Sequence, residues 1–374
     1  MTPEARAESP GPAASLYTPQ PEALSSLFPE EPAYRSSQIH EWLYDHPVLS
    51  ADSMTNLPKV LRESLRDRLW PFTVEIAQTA DATATRKWLF RTPDGNSIES
   101  VLMGYPKRMT LCISSQAGCA MACTFCATGQ FGFERQLDAG EIVAQVAYAE
   151  AHLAKHPMPG SPARVTNVVF MGMGEPLANY DRVRESLRRM IDVMGRSARS
   201  ITVSTVGVVP GMLRLADEPW QVNLAVSLHA ADNDLRSQLV PLNKRYPLED
   251  VLAAARHYFE TKGRRISIEW TLIAGKNDTP DQANQLARIA RRLGAHINVI
   301  ALNPTPLSPD RPPSSAIVHD FLATLEDAGA NVTLRDTRGQ EIDAACGQLR
   351  VRAAILGPEP ARPGSGSLAG TAKE

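Results

Sequence analysis

The sequence predicts an α/β fold made of parallel βαβ units, preceded by a small helical region. Three observations lead there. Beyond residue 110, short β-branched runs alternate with amphipathic stretches of helical period. Residues 21–76 carry helical spacing instead, with Ile39, Trp42 and Leu43 on one face, a break at Leu57-Pro58, then Leu61, Leu65 and Leu69. Between the two regions, Pro93-Asp94-Gly95-Asn96 separates 86–90 from 97–103 with the composition of a hairpin turn, which puts Glu99 on the second strand.

The expected strands are 110–114, 165–170, 200–204, 222–227, 265–272, 296–301 and 331–334, and helical patterns at 139–152, 181–194, 248–261, 280–293 and 316–328 separate most of them. Periodicity alone does not choose between an α/β barrel and a doubly wound sheet. The resulting division is a tail at 1–20, a helical accessory domain at 21–80, a β-hairpin connector at 81–105, the α/β domain at 106–355 and a tail at 356–374. Both tails are rich in Pro, Gly, Ser or Ala without periodic apolar residues and are expected to be disordered.

With 374 residues, 43% of them apolar, the chain can bury a sizeable core. Five cysteines, three of them clustered, point to a reducing, cytoplasmic compartment. The N-terminal stretch lacks the basic and apolar regions of an export signal, and no run of about 18 apolar residues suggests a membrane span. A net charge of −2 gives no global sign of a nucleic-acid partner, so RNA contact would need a local patch. Arg182, Arg184, Arg188 and Arg189, and the groups Lys262, Arg264, Arg265 and Arg288, Arg291, Arg292, are interspersed with acids and read as solvated helix faces.

The chemistry concentrates at strand C-terminal ends, the edge where parallel α/β folds bind ligands. Cys119, Cys123 and Cys126 stand as C-A-M-A-C-T-F-C after the first strand. Three thiolates leave one iron of a 4Fe-4S cube open to another ligand, whereas a structural zinc ion wants a fourth Cys or His at ordinary spacing; the nearest downstream histidines, His152 and His156, lie on or beside an expected helix. Gly174-Glu175-Pro176, Ser204, Ser227-Leu228-His229 and Asn303-Pro304 follow later strands. Singly these read as turns, helix caps or a hydrogen-bonded wall histidine; their shared placement points to a site. Cys112 and Cys346, taken alone, read as small buried core residues, and Glu99 as a carboxylate on a solvated strand face.

T-L-C-I-S-S-Q-A-G-C-A-M-A-C-T-F-C-A-T-G, F-M-G-M-G-E-P, S-T-V-G-V-V-P, S-L-H-A, L-N-P-T-P and D-A-A-C-G-Q-L, in this order across residues 110–349, resemble the RlmN family of RNA adenosine methyltransferases within the radical S-adenosylmethionine (SAM) superfamily. The resemblance implies a partial (βα)6 barrel of the TIM-like, radical SAM type with an N-terminal helical domain. It implies methylation of adenosine carbon 2 in the peptidyl-transferase centre of 23S rRNA, and in tRNA next to the anticodon. One 4Fe-4S cluster would sit on Cys119, Cys123 and Cys126, with SAM held by Gly174, Glu175, Ser204, Ser227, Leu228, His229 and Asn303.

Carbon 2 of adenine is electron-poor and cannot attack a sulfonium methyl, so radical chemistry is required. By the resemblance, two SAM molecules serve each turnover, one as methyl donor to Cys346 and one as source of the 5′-deoxyadenosyl radical that removes a hydrogen from that methyl. The methylene carbon then bonds the base, Glu99 accepts the carbon 2 proton, and Cys112 displaces the product by forming a disulfide with Cys346. A flavodoxin- or ferredoxin-like electron donor is implied. Carbon 8 methylation, as in Cfr-type relatives, shares these cysteines, and a non-catalytic cluster-binding RNA module is the alternative outside enzymes; a distant methyl-carrying thiol argues against the latter.

Overall fold

In a computed structural model of the chain, residues 14–305, 307–335, 339, 342, 344, 345 and 347–349 are described. Cys346 and the tail expected at 356–374 lie outside the described residues, as do residues 1–13.

The helical reading of the N-terminal region holds as far as Arg68. Pro21–Leu27 forms a 3-10 segment, α1 (Ala33–His40) runs on through a π turn at Glu41–Asp45, and α2 (Lys59–Leu65) begins directly after Pro58. Ile39, Leu43, Leu61, Leu65 and Leu69 are buried, the face their spacing marks out. Two expectations change. The segment expected to end the helical region forms strand β1 (Thr73–Ala80), where Thr73, Val74, Ile76 and Thr79 supply the β-branched side chains that favour extended backbone. The segment 15–20, expected to belong to a disordered tail, is docked: Leu16 and Tyr17 are fully buried, the Leu16 amide donates to the Arg68 carbonyl at 2.8 Å, and the Tyr17 hydroxyl donates to the Leu43 carbonyl at 2.9 Å.

The hairpin of β2 (Thr85–Arg91) and β3 (Ser97–Tyr105) forms around the predicted turn, yet it is not a free connector. β1 pairs with β2, and β3 pairs with β4 (Arg108–Cys112), all antiparallel, so the hairpin continues the main sheet. After β4 come β5 (Gln116–Gly118), α3 (Ala127–Gln130) and β6 (Phe133–Gln136), with β5 and β6 as a small separate sheet. The α/β alternation then runs α4 (Ala139–Lys155), β7 (Asn167–Phe170), α5 (Tyr180–Arg188), β8 (Ile201–Thr205), α6 (Val209–Asp217) and β9 (Asn223–Ser227). It ends with α7 (Asn233–Leu239), α8 (Leu248–Lys262), β10 (Ser267–Leu272), α9 (Pro280–Leu293), β11 (His296–Ala301), α10 (Ser315–Asp327) and β12 (Asn331–Leu334).

The main sheet has the order β1-β2-β3-β4-β7-β8-β9-β10-β11-β12, parallel from β4 onward. Strands lie about 4.8 Å apart, so a flat sheet would separate β7 from β12 by more than 20 Å. Arg335, directly after β12, instead places Nη1 3.6 Å from the Met171 sulfur, directly after β7. The sheet is therefore curled, and with both edges unjoined it is a partial barrel, which settles the choice that periodicity left open.

The accessory region is held to this barrel by aromatic packing. Tyr148 on α4 receives the edge or face of Trp70, Phe72, Trp88 and Phe90, with ring centroids 5.3 to 6.1 Å away. Arg189 donates to the Tyr17 carbonyl at 2.8 Å, and the Tyr17 backbone lies on Gly140 of α4. A Cβ at residue 140 would meet the Tyr17 carbonyl oxygen at 2.2 Å, an overlap only backbone movement relieves. We expect Gly140→Ala to cost about 1–3 kcal/mol and to expose the segment before α1 to protease. Limited proteolysis with a thermal melt measures this; wild-type behaviour in both would mean the contact is not a constraint.

Candidate active site

The strand ends converge as their sequence placement predicts. One cavity is lined by Cys119, Cys123 and Cys126 from the loop after β5, by Gly174 and Glu175 after β7, by Ser204 on β8, by Ser227 and His229 at β9, and by Asn303 after β11. Leu228 is the exception. Its side chain is buried in the main core, and its carbonyl accepts from Arg236.

The cysteine loop is short and tightly fixed. The Cys119 amide donates to the Gly132 carbonyl at 2.7 Å, Cys126 N–H to the Cys123 carbonyl at 3.2 Å, and Thr124 N–H to Leu239 on α7 at 3.2 Å. Burial, opposed by a backbone hydrogen bond and assisted by the neighbouring Cys126 thiol, pushes Cys119 up to about 12; burial and both neighbours raise Cys123 well above the ordinary thiol value. Such thiols become ligating thiolates only when positive charge arrives. Among the described residues, no three His, Cys, Asp or Glu side chains are grouped to hold a single metal ion. Three soft sulfur donors spread over one loop, without a fourth protein ligand grouped beside them, fit the demands of an iron-sulfur cube with one open iron.

The opposite wall is built from satisfied polar groups. Glu175 is fully enclosed, its carboxylate accepting from Leu177 N–H and Val206 N–H, both at 2.9 Å, so it ties the β7 loop to the β8 loop. Burial pushes its carboxyl up to about 7, although these backbone donors favour the ionised form. An ionised carboxyl here keeps lone pairs for an added cation such as the ammonium of an amino acid. Gly174 has φ +99°, and a Cβ on it would meet Gln116 at 2.5 Å, so no other residue fits this turn unstrained. His229 takes a left-handed φ of +60°, an unusual cost for a non-glycine. Its Nδ1 accepts from Thr271 N–H at 2.9 Å, leaving the proton on Nε2, and burial reinforced by the Arg236 charge holds it down to about 3. It is a neutral donor set edge-on against Phe125, at 4.6 Å between ring centroids, which matches the wall role more closely than acid-base chemistry.

Glu99 and Cys112 share one face of the sheet. Val101 is the cross-strand partner of Cys112, and Glu99 lies one same-face step along β3. Glu99 is buried rather than solvated, and the Lys87 ammonium stands 3.7 Å from its carboxylate. Cys112 packs with Val101, Met173, Ile342, Ala344 and Leu349. The last three flank position 346. Gly347 lines the cavity, and its carbonyl accepts from Ala127 N–H at 2.8 Å, next to Cys126 in the chain.

Sequence reasoning missed several lining or supporting groups. Gln116 holds the Glu175 amide at 2.8 Å, and Glu269 on β10 pairs with Arg335 at 3.3 Å while accepting from Asn298 at 2.8 Å. Glu269 was findable: along β10 the apolar Ile268, Trp270 and Leu272 alternate with Ser267, Glu269 and Thr271, which sets a carboxylate on the face opposite the apolar one, where it is buried. The basic stretch on and just after α5 is paired with acids, but the reading of a solvated face fails at Arg189, which is buried. Arg182 pairs with Asp138, Arg184 with Glu218, and Arg188 and Arg189 with Glu185, each at 2.7 to 2.9 Å.

Two family models match the chain, one described as "Radical SAM superfamily" over residues 113–288 and one described as "Ribosomal RNA large subunit methyltransferase N-terminal domain" over residues 20–70. A Salinispora arenicola protein named "Probable dual-specificity RNA methyltransferase RlmN" is 48% identical over 341 residues, covering 90% of this chain and 89% of that protein. A Thermobifida fusca protein of the same name is 46% identical over 348 residues, covering 89% and 95%. The crystal structure of a radical SAM methyltransferase from Sphaerobacter thermophilus superposes with a TM-score of 0.85 at 46% identity, covering 90% of this chain and 99% of that one.

The buried carboxyl gives a pH signature. In the unfolded chain Glu175 ionises near its ordinary 4.5, whereas in the folded protein it keeps its proton to about 7. Across that window the folded state binds the extra proton, so this contribution to stability falls as pH rises. Glu175→Gln cannot titrate, and His229 titrates in both proteins and drops out of the difference. From pH 4.5 to 7, metal-free wild type should lose roughly 2 kcal/mol relative to Glu175→Gln in denaturant melts. Parallel curves would assign the titration elsewhere.

Proposed function

The chain belongs to the RlmN family of radical SAM RNA methyltransferases, and we propose that it methylates carbon 2 of adenosine in 23S rRNA and in tRNA through a methylated Cys346. What supports the reading above all is the placement of the segment around position 346. Its described residues touch the cysteine loop through Gly347 and pack against Cys112 through Ile342, Ala344 and Leu349, so residues on both sides of position 346 lie near the cysteine loop or against the second outlying thiol. A catalytic thiol that must be reached both by the cavity's contents and by a second thiol needs that arrangement.

Cys119, Cys123 and Cys126 would hold one 4Fe-4S cluster, and Gly174, Glu175, Ser204, Ser227, His229 and Asn303 would surround SAM, with Leu228 contributing backbone support. The cluster, when bound, supplies the electron that cleaves SAM to a 5′-deoxyadenosyl radical. The Cys346 sulfur would take a methyl group from one SAM, that methyl would give a hydrogen atom to the 5′-deoxyadenosyl radical from a second, and the resulting methylene carbon would bond adenine. One electron would leave the adduct for the oxidised cluster, and Glu99 would take the proton from carbon 2. The Cys112 thiolate then attacks the Cys346 sulfur, forming the disulfide as methylated adenine departs with the bonding electrons and a proton. Two external electrons reopen it, which a flavodoxin- or ferredoxin-like partner in a cytoplasmic setting would provide. The Lys87 ammonium stands beside Glu99, a charged pair buried inside the sheet.

Anaerobically reconstituted protein should be brown with about four irons per chain, and Ala at Cys119, Cys123 or Cys126 should remove that absorbance. A colourless protein carrying stoichiometric zinc would overturn the cluster assignment.

The two outlying thiols should behave oppositely. Cys346→Ala should abolish methylation without holding RNA, and Cys112→Ala should leave RNA on Cys346 because no thiolate displaces it. Denaturing gels with nuclease digestion and peptide mass spectrometry locate the adduct, and nucleoside mass spectrometry distinguishes carbon 2 from carbon 8. Normal turnover by Cys112→Ala would refute its role.

A further inference from the structure

Arg236 on α7 is fully buried, and all three arms of its guanidinium end on neutral oxygens. Nε donates to the Leu228 carbonyl at 3.2 Å, Nη1 to the Asn243 side-chain oxygen at 2.7 Å, and Nη2 to the Val206 carbonyl at 2.6 Å. Among the described residues no carboxylate pairs with it, whereas Arg135, Arg182, Arg184, Arg188, Arg189 and Arg196 all have one. Buried arginines without an anion are costly and call for a compensating negative charge.

The surroundings identify where that charge arises. Leu239 accepts from Thr124 N–H inside the cysteine loop, and Leu235, Leu239 and Val240 around Arg236 pack with Cys123 and Cys126. Arg236 is thus fixed under the loop that carries the three thiols, and its hydrogen bonds tie down the carbonyls at the ends of β8 and β9 that frame the same cavity.

We propose that Arg236 is a positioning residue for the cluster, a buried cation that balances the thiolate-bound cube and raises its reduction potential by offsetting the added electron. The proposal rests on the assignment of the cluster to Cys119, Cys123 and Cys126. It accounts for a buried arginine that has no protein anion among the described residues and that is fixed beneath the loop carrying the three cysteines. Net charge around an iron-sulfur centre is among the protein's main means of setting its potential.

The test is a redox titration, followed by electron paramagnetic resonance, of the full chain reconstituted anaerobically without SAM as wild type, Arg236→Met and Arg236→Lys. Arg236→Met removes the charge while filling most of the volume, so its potential should move negative, with the ratio of reduced to oxidised cluster at fixed potential falling roughly tenfold. Arg236→Lys keeps the charge and loses the three-armed fork, so it should melt lower yet stay within about twofold of wild type in that ratio. Equal potentials in wild type and Arg236→Met, or a Lys variant shifted as far as Met, would overturn the proposal. If Arg236→Met does not fold, the Lys variant decides alone: a retained potential supports the charge, and a tenfold loss overturns it. A wild-type protein that takes up no four-iron chromophore would instead defeat the cluster assignment.

Discussion

The electrostatic state of three thiols governs the arrangement of the rest. On the proposed cluster assignment Cys119, Cys123 and Cys126 would have to be thiolates, yet Cys119 and Cys123 are in surroundings that strongly favour the neutral thiol. Only added positive charge reverses that preference, and bound iron would bring most of it. The remaining polar groups at this edge of the sheet are arranged so that none competes for the thiols. Glu175 spends its carboxylate on Val206 and Leu177 amides, His229 is neutral with Nδ1 already accepting, and Arg236 spends its donors on neutral oxygens. A site organised this way is prepared for charge that arrives with its occupants rather than for charge made within the protein.

Those hydrogen bonds also explain why the loops hold their shape. In a curled parallel sheet, each strand ends in carbonyls and amides without ladder partners, and burying them unpaired would be costly. Here buried side chains fill the role. Asn179 donates to Ser115 and Leu137, Asn277 donates to His229 and Thr271 while accepting from Ile273, and Gln145 spans both sides of Ser114. The left-handed turn at His229 is held by this bracing, since Asn277 fixes its carbonyl and Thr271 its ring.

Much of this was legible in the sequence because local signals agreed with the global fold. The strands β9 to β12 and helices α8 to α10 fall where period and β-branching placed them, to within a few residues. The legible site residues were those on strand ends, where Cys119, Glu175 and Asn303 break an otherwise apolar pattern. Long-range contacts left no such trace. Leu16 and Tyr17 sit among Pro, Ser and Thr and read as tail, yet α4 and α5 supply a socket that no local window contains. Glu99 read as solvated because alternation alone cannot say that both faces of β3 are covered, one by α4 through Ser100 and Gln145, the other by the barrel interior. The short helices α6 and α7 were too brief for periodicity to distinguish from loops.

Incomplete closure of the barrel goes with the same geometry that sets described residues beyond β12 against Cys112. β4 and β12 stand at opposite ends of the parallel strands, and a closed barrel would pair them with backbone hydrogen bonds. Here β4 is paired instead with β3. Among the described residues beyond β12, Arg335 reaches Met171, Ile342 and Ala344 pack with Cys112, and the Gly347 carbonyl accepts from Ala127. A closed ladder would bury the inner end of β4 behind its neighbour and hold the chain beyond β12 outside the sheet. The open seam lets described residues beyond β12 reach both the thiol on β4 and the end of the cysteine loop. The antiparallel strands β1 to β3 are thus more than an appendage: by occupying the edge of β4, they keep the seam from zipping shut.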